Sequence, residues 1–409
     1  MTVHRRAFTA LFCILAAGIA AGQTATGTQS NAPRIVAVGD VHGSFEGLTG
    51  ILQKAGIIDA KQQWAGGTTI FVQTGDIYDR GTGVRPALDL LMRLEGQARR
   101  AGGRLVPLLG NHEIVNIVGD YRDVSPEMFA AFADGRSEAR RTRAYADMVT
   151  SARRRGQETS VPARDAWMTA HPPGFIEYSA AVGPRGKYGR WIRTHKAVAV
   201  VDNNAFMHAG INHTFQGSID DVNRTVAGDI AAWDATKDEM VRAGLIPAFA
   251  TWKETVAAAT AEIERLNAAS KDQKPAAAAA TQAKIVRLQR TAAIEKSSLL
   301  DMEGPMWFRG FALWKDSDEA PFMALLGRLG IGRFVAGHTP MPQDPTERAV
   351  RNRWGYRIFQ IDTGMLGGDF FPGGRASALE LAGDRITVLY TDSPAVIVTG
   401  GGQARASQR

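Results

Sequence analysis

Three short segments each close an apolar run with a carboxylate or an amide set near a histidine or a second carboxylate. They are Gly39-Asp40-Val41-His42-Gly43, Gly75-Asp76-Ile77-Tyr78-Asp79-Arg80-Gly81 and Gly110-Asn111-His112-Glu113. The runs before them, 35–38, 69–73 and 105–109, have the composition of strands buried on both faces. Residues 45–55 follow the first segment with Leu48, Ile51 and Leu52 on one helical face. Residues 86–101 form a second predicted helix, opened by a proline in its first turn. Alternating strands and helices over 33–124 predict an α/β core. In such a core the loops at the carboxyl ends of the strands converge on one crevice. All three segments therefore feed a single site.

The residue types there suit a pair of divalent metal ions. Two ions about 3.5–4 Å apart clamp a phosphoryl group and lower the pKa of water to near neutrality. They need a bridging carboxylate with nitrogen and oxygen ligands around it. Asp40 and His42, one residue apart on an extended loop, can reach one ion, and Asp76 is the natural bridge. Asn111 offers a neutral amide oxygen, which lowers the total ligand charge. The remaining ligands are expected to be histidines, since imidazole suits zinc, iron and related metals. Of the eight in the chain, His208 and His338 follow strong apolar runs and adjoin small residues. His213 and His195 are weaker candidates, and His171, before two prolines, reads as loop surface.

His112 follows Asn111 directly and is poorly placed to bind the same ion. It is instead the candidate acid for the leaving group, with Asp79 orienting and charging the imidazole. Arg80 is placed to hold phosphate oxygens bidentately. Each element alone has a plain structural explanation: an aspartate after a strand commonly caps the next helix, and Asp79 could simply pair with Arg80. Three glycine-flanked motifs, each after its own strand, are not explained that way.

Beyond the core, residues of about 125–190 and 214–300 read as helical insertions. The second contains two alanine-rich helical segments, 252–269 and 276–297, split by Lys271-Asp272-Gln273-Lys274-Pro275, and an antiparallel hairpin is expected. Its role is either a cap packed on the core or a docking surface, over 255–298, for a partner. Residues 190–201 and 205–207 suggest a hairpin of apolar runs delivering His208, and strands return at 334–336, 356–361 and 386–390. The domain is expected to span 31–398, with a disordered tail over 399–409. Residues 1–22 read as an export signal: Arg5 and Arg6, a short apolar stretch and then small residues. That stretch is too short for a stable membrane span. The twin-arginine and general secretory routes both fit, and both predict a periplasmic protein. Cleavage would remove Cys13, the only cysteine, leaving no thiol ligand. A formal net charge of +7 is spread over many arginines without a dense run. It favours phosphorylated substrates over nucleic acid.

Asp40-x-His42-Gly43, Gly75-Asp76-x-x-Asp79-Arg80-Gly81 and Gly110-Asn111-His112-Glu113 resemble the signature of phosphoprotein phosphatases in the calcineurin-like metallophosphoesterase superfamily. Segments 116–124 and 304–310 look like the Shewanella-like branch. The resemblance implies a metallophosphoesterase β-sandwich flanked by helices and two divalent ions, manganese, iron or zinc. It implies Asp40, His42 and Asp76 on one ion, with Asp76, Asn111, His208 and His338 on the other. It further implies in-line attack by a metal-bridging hydroxide on a phosphate monoester, with a phosphoprotein, phosphotyrosine or aryl phosphate as substrate. Arg122 and Arg309 are, by analogy, candidates for a second phosphate-binding arginine. A dinucleoside polyphosphate or nucleotide hydrolase on the same metal centre is the alternative activity. A non-catalytic exported binding protein is the alternative outside enzymes.

Overall fold

Every residue of the first predicted strand is buried, and its side chains divide between two apolar clusters as a period of two demands. Ile35 and Ala37 pack with Phe206, Val335, Phe359 and Leu379, whereas Val36 and Val38 pack with the helices that carry Leu48, Leu52 and Leu91. The first cluster fills the space between two sheets. The second joins one sheet to a helical layer, so the architecture is a sandwich flanked by helices. The computed structural model describes residues 32–154, 162–269, 274–341 and 347–399. The expected export signal with Cys13, residues 271–273 of the expected hairpin turn and the tail from 400 onward lie outside the described residues.

The chain begins with β1 (Ile35–Val38), α1 (Phe45–Lys54), β2 (Ile70–Gln73), α2 (Val84–Arg100), β3 (Arg104–Pro107) and α3 (Asn111–Val118). Five helices follow: α4 (Pro126–Ala130), α5 (Ser137–Arg154), α6 (Arg164–Ala170), α7 (Phe175–Val182) and α8 (Lys187–Ile192). Next come β4 (Val198–Val201), β5 (Asn204–Met207), α9 (Ile219–Arg242), α10 (Trp252–Ala269) and α11 (Pro275–Ala292). The last part holds α12 (Gly310–Leu313), α13 (Glu319–Leu329), β6 (Arg333–Ala336), β7 (Arg351–Arg353), β8 (Ile358–Gln360), β9 (Ser377–Ala382), β10 (Arg385–Tyr390) and β11 (Val396–Thr399).

One sheet has the order β11-β10-β9-β1-β2-β3 and the other β4-β5-β6-β8-β7. Strands β1, β2 and β3 run parallel, and so do β5, β6 and β8. Asp40, Asp76 and Asn111 follow the first trio; His208 and His338 follow β5 and β6. The carboxyl ends of both parallel trios supply the site.

Several elements depart from the sequence reading. Residues 190–192 close the short helix α8 rather than opening a strand, with Tyr188, Trp191 and Ile192 buried on one side. A short apolar run does not distinguish strand from helix by periodicity. Strands β9 and β11 and helix α9 were not expected, and Thr399 ends a strand rather than beginning a tail. The expected strand 356–361 is the three-residue β8, preceded by Trp354 and Tyr356 with positive φ.

Helices α10 and α11 form the expected antiparallel pair and share a small apolar core with α9, formed by Met240, Ala259, Leu266, Ile285 and Leu288. Lys284 reaches across to Glu262 at 2.8 Å, and Arg290 and Ser298 hold Asp229 of α9. Among the described residues no helix is long and apolar enough to cross a membrane.

Phe206 stands fully buried between the sheets, two residues before His208. Phe206→Ala is expected to cost about 3–5 kcal/mol of stability, because the interior cannot close over a lost ring. Denaturant unfolding of the two proteins checks the value.

Candidate metal centre

The loops that carry the site are held in backbone conformations that ordinary residues avoid. His42, Asp76, Asp79, Arg80 and His338 all have φ between 46° and 69°, a region that non-glycine residues enter only under constraint. The constraint is visible. The Asp76 carbonyl accepts the N–H groups of both Val41 and His42 at 2.9 Å, and Arg80 N–H donates to Asp123. The buried Glu113 carboxylate accepts N–H groups from Asp76 and Gly110 at 2.7 Å and from Ile77 at 2.8 Å. One side chain of α3 thereby ties the loop after β2 to the loop after β3. Space is equally restricted: a Cβ at Gly337 would run into the Asp40 carboxylate.

Three histidines arrive with their tautomers fixed. His42 Nδ1 faces the Tyr78 carbonyl at 2.9 Å, His208 Nδ1 the Thr74 carbonyl at 3.1 Å, and His338 Nε2 the Trp307 carbonyl at 3.0 Å. A carbonyl oxygen only accepts, so each of these nitrogens carries the proton and the other ring nitrogen keeps its lone pair. Those lone pairs point into the cluster. His208 Nε2 lies 2.7 Å from Asn111 Oδ1, 3.0 Å from His338 Nδ1 and 3.3 Å from Asp76 Oδ2. His42 Nε2 lies 3.5 Å from Asp76 Oδ2 and 3.9 Å from Asp40 Oδ2. Once Asp76 is ionised, three acceptor atoms lie within hydrogen-bond range of a fourth, His208 Nε2, with no donor among them, an arrangement that a cation relieves. Asp76 belongs to both groups, with His42 on one side and with His208 and His338 on the other.

Electrostatics agree with that reading. Burial, reinforced by Asp362 and Asp76, holds the Asp40 carboxyl well above the carboxylate range. Asp76 is pushed up to about 7, chiefly by burial. Burial holds His42 and His208 neutral and brings His338 down to about 3, with Arg309 adding to the effect. Neutral imidazoles and buried carboxyls that resist ionising alone make a donor set that favours a cation over protons. Two aspartates, one asparagine and three histidines suit borderline metals. In chemistry and in arrangement, the donor set fits divalent metal ions.

His112 stands apart from that set. Its Nδ1 bonds Asp79 Oδ2 at 2.7 Å, and its Nε2 is 4.0 Å from Asp76. Burial opposes its charge, but Asp76 and the Asp79 hydrogen bond outweigh burial and push His112 up to about 9. Arg80 donates to His42 Nε2 at 2.8 Å and lies 3.1 Å from His112 Nε2, with its guanidinium 5.1 Å over the Phe371 ring.

The two analogy-based arginines differ. Arg309 is half-buried, donates to the His338 carbonyl and Thr339 Oγ1 at 2.9 Å, and feels the charges of Asp40, Asp362 and Asp76. The Arg122 side chain is 63% exposed and is taken up by Asp120, two residues earlier. The structure therefore brings Arg309 to the cluster and leaves Arg122 in a local ion pair. His195 is buried against Trp191, and His213 packs on Trp314 near Asp318. His171 is no loop-surface residue: it is buried, stacked on Trp167 with ring centroids 4.1 Å apart, and donates to the Trp167 carbonyl. Asp362 was missed. It is buried after β8, held through Oδ1 by the Gly364 N–H, and faces Asp40. The signal was present in Ile361-Asp362-Thr363-Gly364, another acid before glycine at a strand end.

Residues 33–173 match the family model described as calcineurin-like phosphoesterase. The match is to this segment, about a third of the chain. The matched segment contains all three glycine-flanked motifs, while His208 and His338 lie beyond it. Shewanella-like protein phosphatase 2 of Arabidopsis thaliana is 33% identical over 202 residues, covering 48% of this chain and 51% of that protein. An uncharacterized protein of Schizosaccharomyces pombe is 26% identical over 335 residues, covering 81% and 73%. Shewanella-like protein phosphatase 1 of Plasmodium berghei is 26% identical over 191 residues, covering 46% and 42%. The chain thus spans about half the length of the two Shewanella-like phosphatases it matches. The crystal structure of a cold-active protein-tyrosine phosphatase of a psychrophilic Shewanella species shares the fold. Its TM-score is 0.56 at 22% identity, over 90% of this chain and 81% of that one. The chain therefore has the mixed α/β architecture of the metallophosphoesterases.

In the metal-free protein, the raised pKa of His112 makes its ion pair a pH-dependent source of stability. The contribution is present in full below the ordinary value of 6.5 and is lost as pH rises through about 9. The stability difference between wild type and His112→Asn should therefore shrink between about pH 6 and about pH 10. Urea denaturation of both proteins across that range measures it.

Proposed function

We propose that this chain is a dinuclear-metal phosphomonoesterase acting on phosphoproteins or small phosphate esters. The observation that carries the reading is the convergence of His208 Nε2, His338 Nδ1, Asn111 Oδ1 and Asp76 Oδ2, four acceptors with no donor between them once Asp76 is ionised. Asp40, His42 and Asp76 would hold one ion, and Asp76, Asn111, His208 and His338 the second. Divalent ions bound there would polarise the phosphoryl oxygens and activate water near neutral pH. Arg80, free to exchange its bond to His42 for phosphoryl oxygens, binds the substrate through its fork of donors. Arg309 is the second candidate for that task. His112, held as the imidazolium by Asp79, gives its Nε2 proton to the departing oxygen. The names of the Arabidopsis and Plasmodium relatives support a phosphoprotein substrate. The resemblance of segments 116–124 and 304–310 to the Shewanella-like branch adds phosphotyrosine to the candidates. The basic, small-residue-flanked segment 1–22 supports export to the periplasm.

Asp76→Asn should lower occupancy of both ions together, read by elemental analysis of the purified protein; full retention of metal would reject the bridging role. His112→Asn should cut turnover of alkyl phosphates by about 10²–10⁴, and that of para-nitrophenyl phosphate far less, since its leaving group needs no proton. Rates on phosphotyrosine peptide, phosphoserine peptide and diadenosine tetraphosphate test the substrate class. Strong preference for the last would replace phosphomonoesterase with dinucleoside polyphosphate hydrolase.

A further inference from the structure

The first helical insertion does more than cover the core, because one of its side chains closes a hydrogen-bonded line that ends at His112. Tyr178, fully buried on α7, donates its hydroxyl to Asn116 Oδ1 at 2.5 Å. Asn116 lies one turn beyond His112 on α3. Its Nδ2 donates to Asp79 Oδ1 at 2.9 Å, to Asp79 Oδ2 at 3.0 Å and to the His112 carbonyl at 2.9 Å. Asp79 in turn holds His112 Nδ1 at 2.7 Å. We propose that Tyr178 is a positioning residue that locks the Asn116 amide, and through it the Asp79–His112 pair, in the proton-donating arrangement. The proposal rests on the reading of His112 as the acid.

The chemistry of the amide carries the inference. An asparagine side chain has a donor end and an acceptor end of nearly the same shape, so neighbours alone decide which way it faces. At Asn116 three acceptor oxygens surround the donor end, and the Tyr178 hydroxyl is the donor at the other. Without that hydroxyl, Oδ1 would be a buried acceptor with nothing to accept. A turned amide would set it against the Asp79 carboxylate. Either outcome loosens the grip on Asp79, and the imidazole loses the partner that aims Nε2. The tyrosine itself cannot drift. Its ring sits edge-on to Tyr121, Phe129 and Phe132, with centroids 5.4, 5.5 and 5.1 Å away. Burial also keeps its hydroxyl protonated, well above the ordinary tyrosine range. Phe129 and Phe132 come from α4 and the turn after it, so the insertion supplies two of the three rings as well as the lock.

Tyr178→Phe keeps the ring and its packing and removes only the hydroxyl. In the manganese-loaded full chain it should lower kcat for an alkyl phosphate by about tenfold and that for para-nitrophenyl phosphate by less than about twofold. KM and bound metal should stay unchanged. Asn116→Ala should reproduce the same selective loss. In a His112→Asn background, Tyr178→Phe should have no further effect, because residues acting through one group are not additive. Equal loss on both substrates, or the same loss persisting in the His112→Asn background, would overturn the positioning role and leave only a packing role. If His112→Asn alone shows no dependence on the leaving group, the acid assignment fails and the Tyr178 proposal falls with it. If His112→Asn behaves as expected and Tyr178→Phe does not, the positioning role alone is rejected.

Discussion

Three carboxyl groups, Asp40, Asp76 and Asp362, are buried in one cluster among histidines that burial holds neutral. Leaving such groups together in a low-dielectric interior is costly unless positive charge enters between them. This constraint organises the rest of the site. The outer ring nitrogens are spent on backbone carbonyls so that the inner ones stay free. Arg80, Arg309 and the charged His112 lie at the edge of the cluster, where they offset the carboxylates without occupying the centre. A phosphoryl group entering at that edge, as proposed, would face the arginines.

The backbone accepts strain to reach this arrangement. Five residues of the cluster adopt left-handed φ values, and the glycines between them leave room for carboxylate oxygens rather than side chains. That strain persists because the surroundings over-determine it. Glu113 holds two loops with three hydrogen bonds, and the Asp76 carbonyl holds a third. The sandwich beneath them, with Phe206 and Phe359 between its sheets, provides the stiff floor from which both parallel strand trios project their ends.

The proposed roles are layered outward from the candidate metal ligands. His112 and Asp79 come from the same loops as the ligands, but Asn116 lies a turn farther along α3 and Tyr178 comes from an insertion. In the proposed reading, residues between the glycine-flanked motifs and the second sheet influence proton delivery from His112 without belonging to the candidate ligand set. The hairpin of α10 and α11 is different: its apolar core is closed against α9, and its ion pairs are internal to that unit.

Asp40, His42, Asp76, Asn111 and the His112–Asp79 pair were legible in the chain because glycine-flanked motifs after buried strands leave a local imprint. Phe45–Lys54 and the α10–α11 hairpin were legible for a similar reason, since amphipathic spacing is written over consecutive residues. Asp362 carried the same strand-end pattern but only once and in a glycine-rich stretch, which hid it. Arg122 and Arg309 looked equivalent on paper; a partner two residues away claimed one, and the cluster's field reached the other. The sequence by itself determined the chemistry of the donors, because residue type sets softness, charge and lone pairs. Only the tertiary structure decided which nitrogen of each histidine faces inward, that strands from two sheets share one edge, and that Tyr178 meets Asn116. Those outcomes depend on contacts between residues 31 to 298 positions apart, and no local pattern of side chains encodes them.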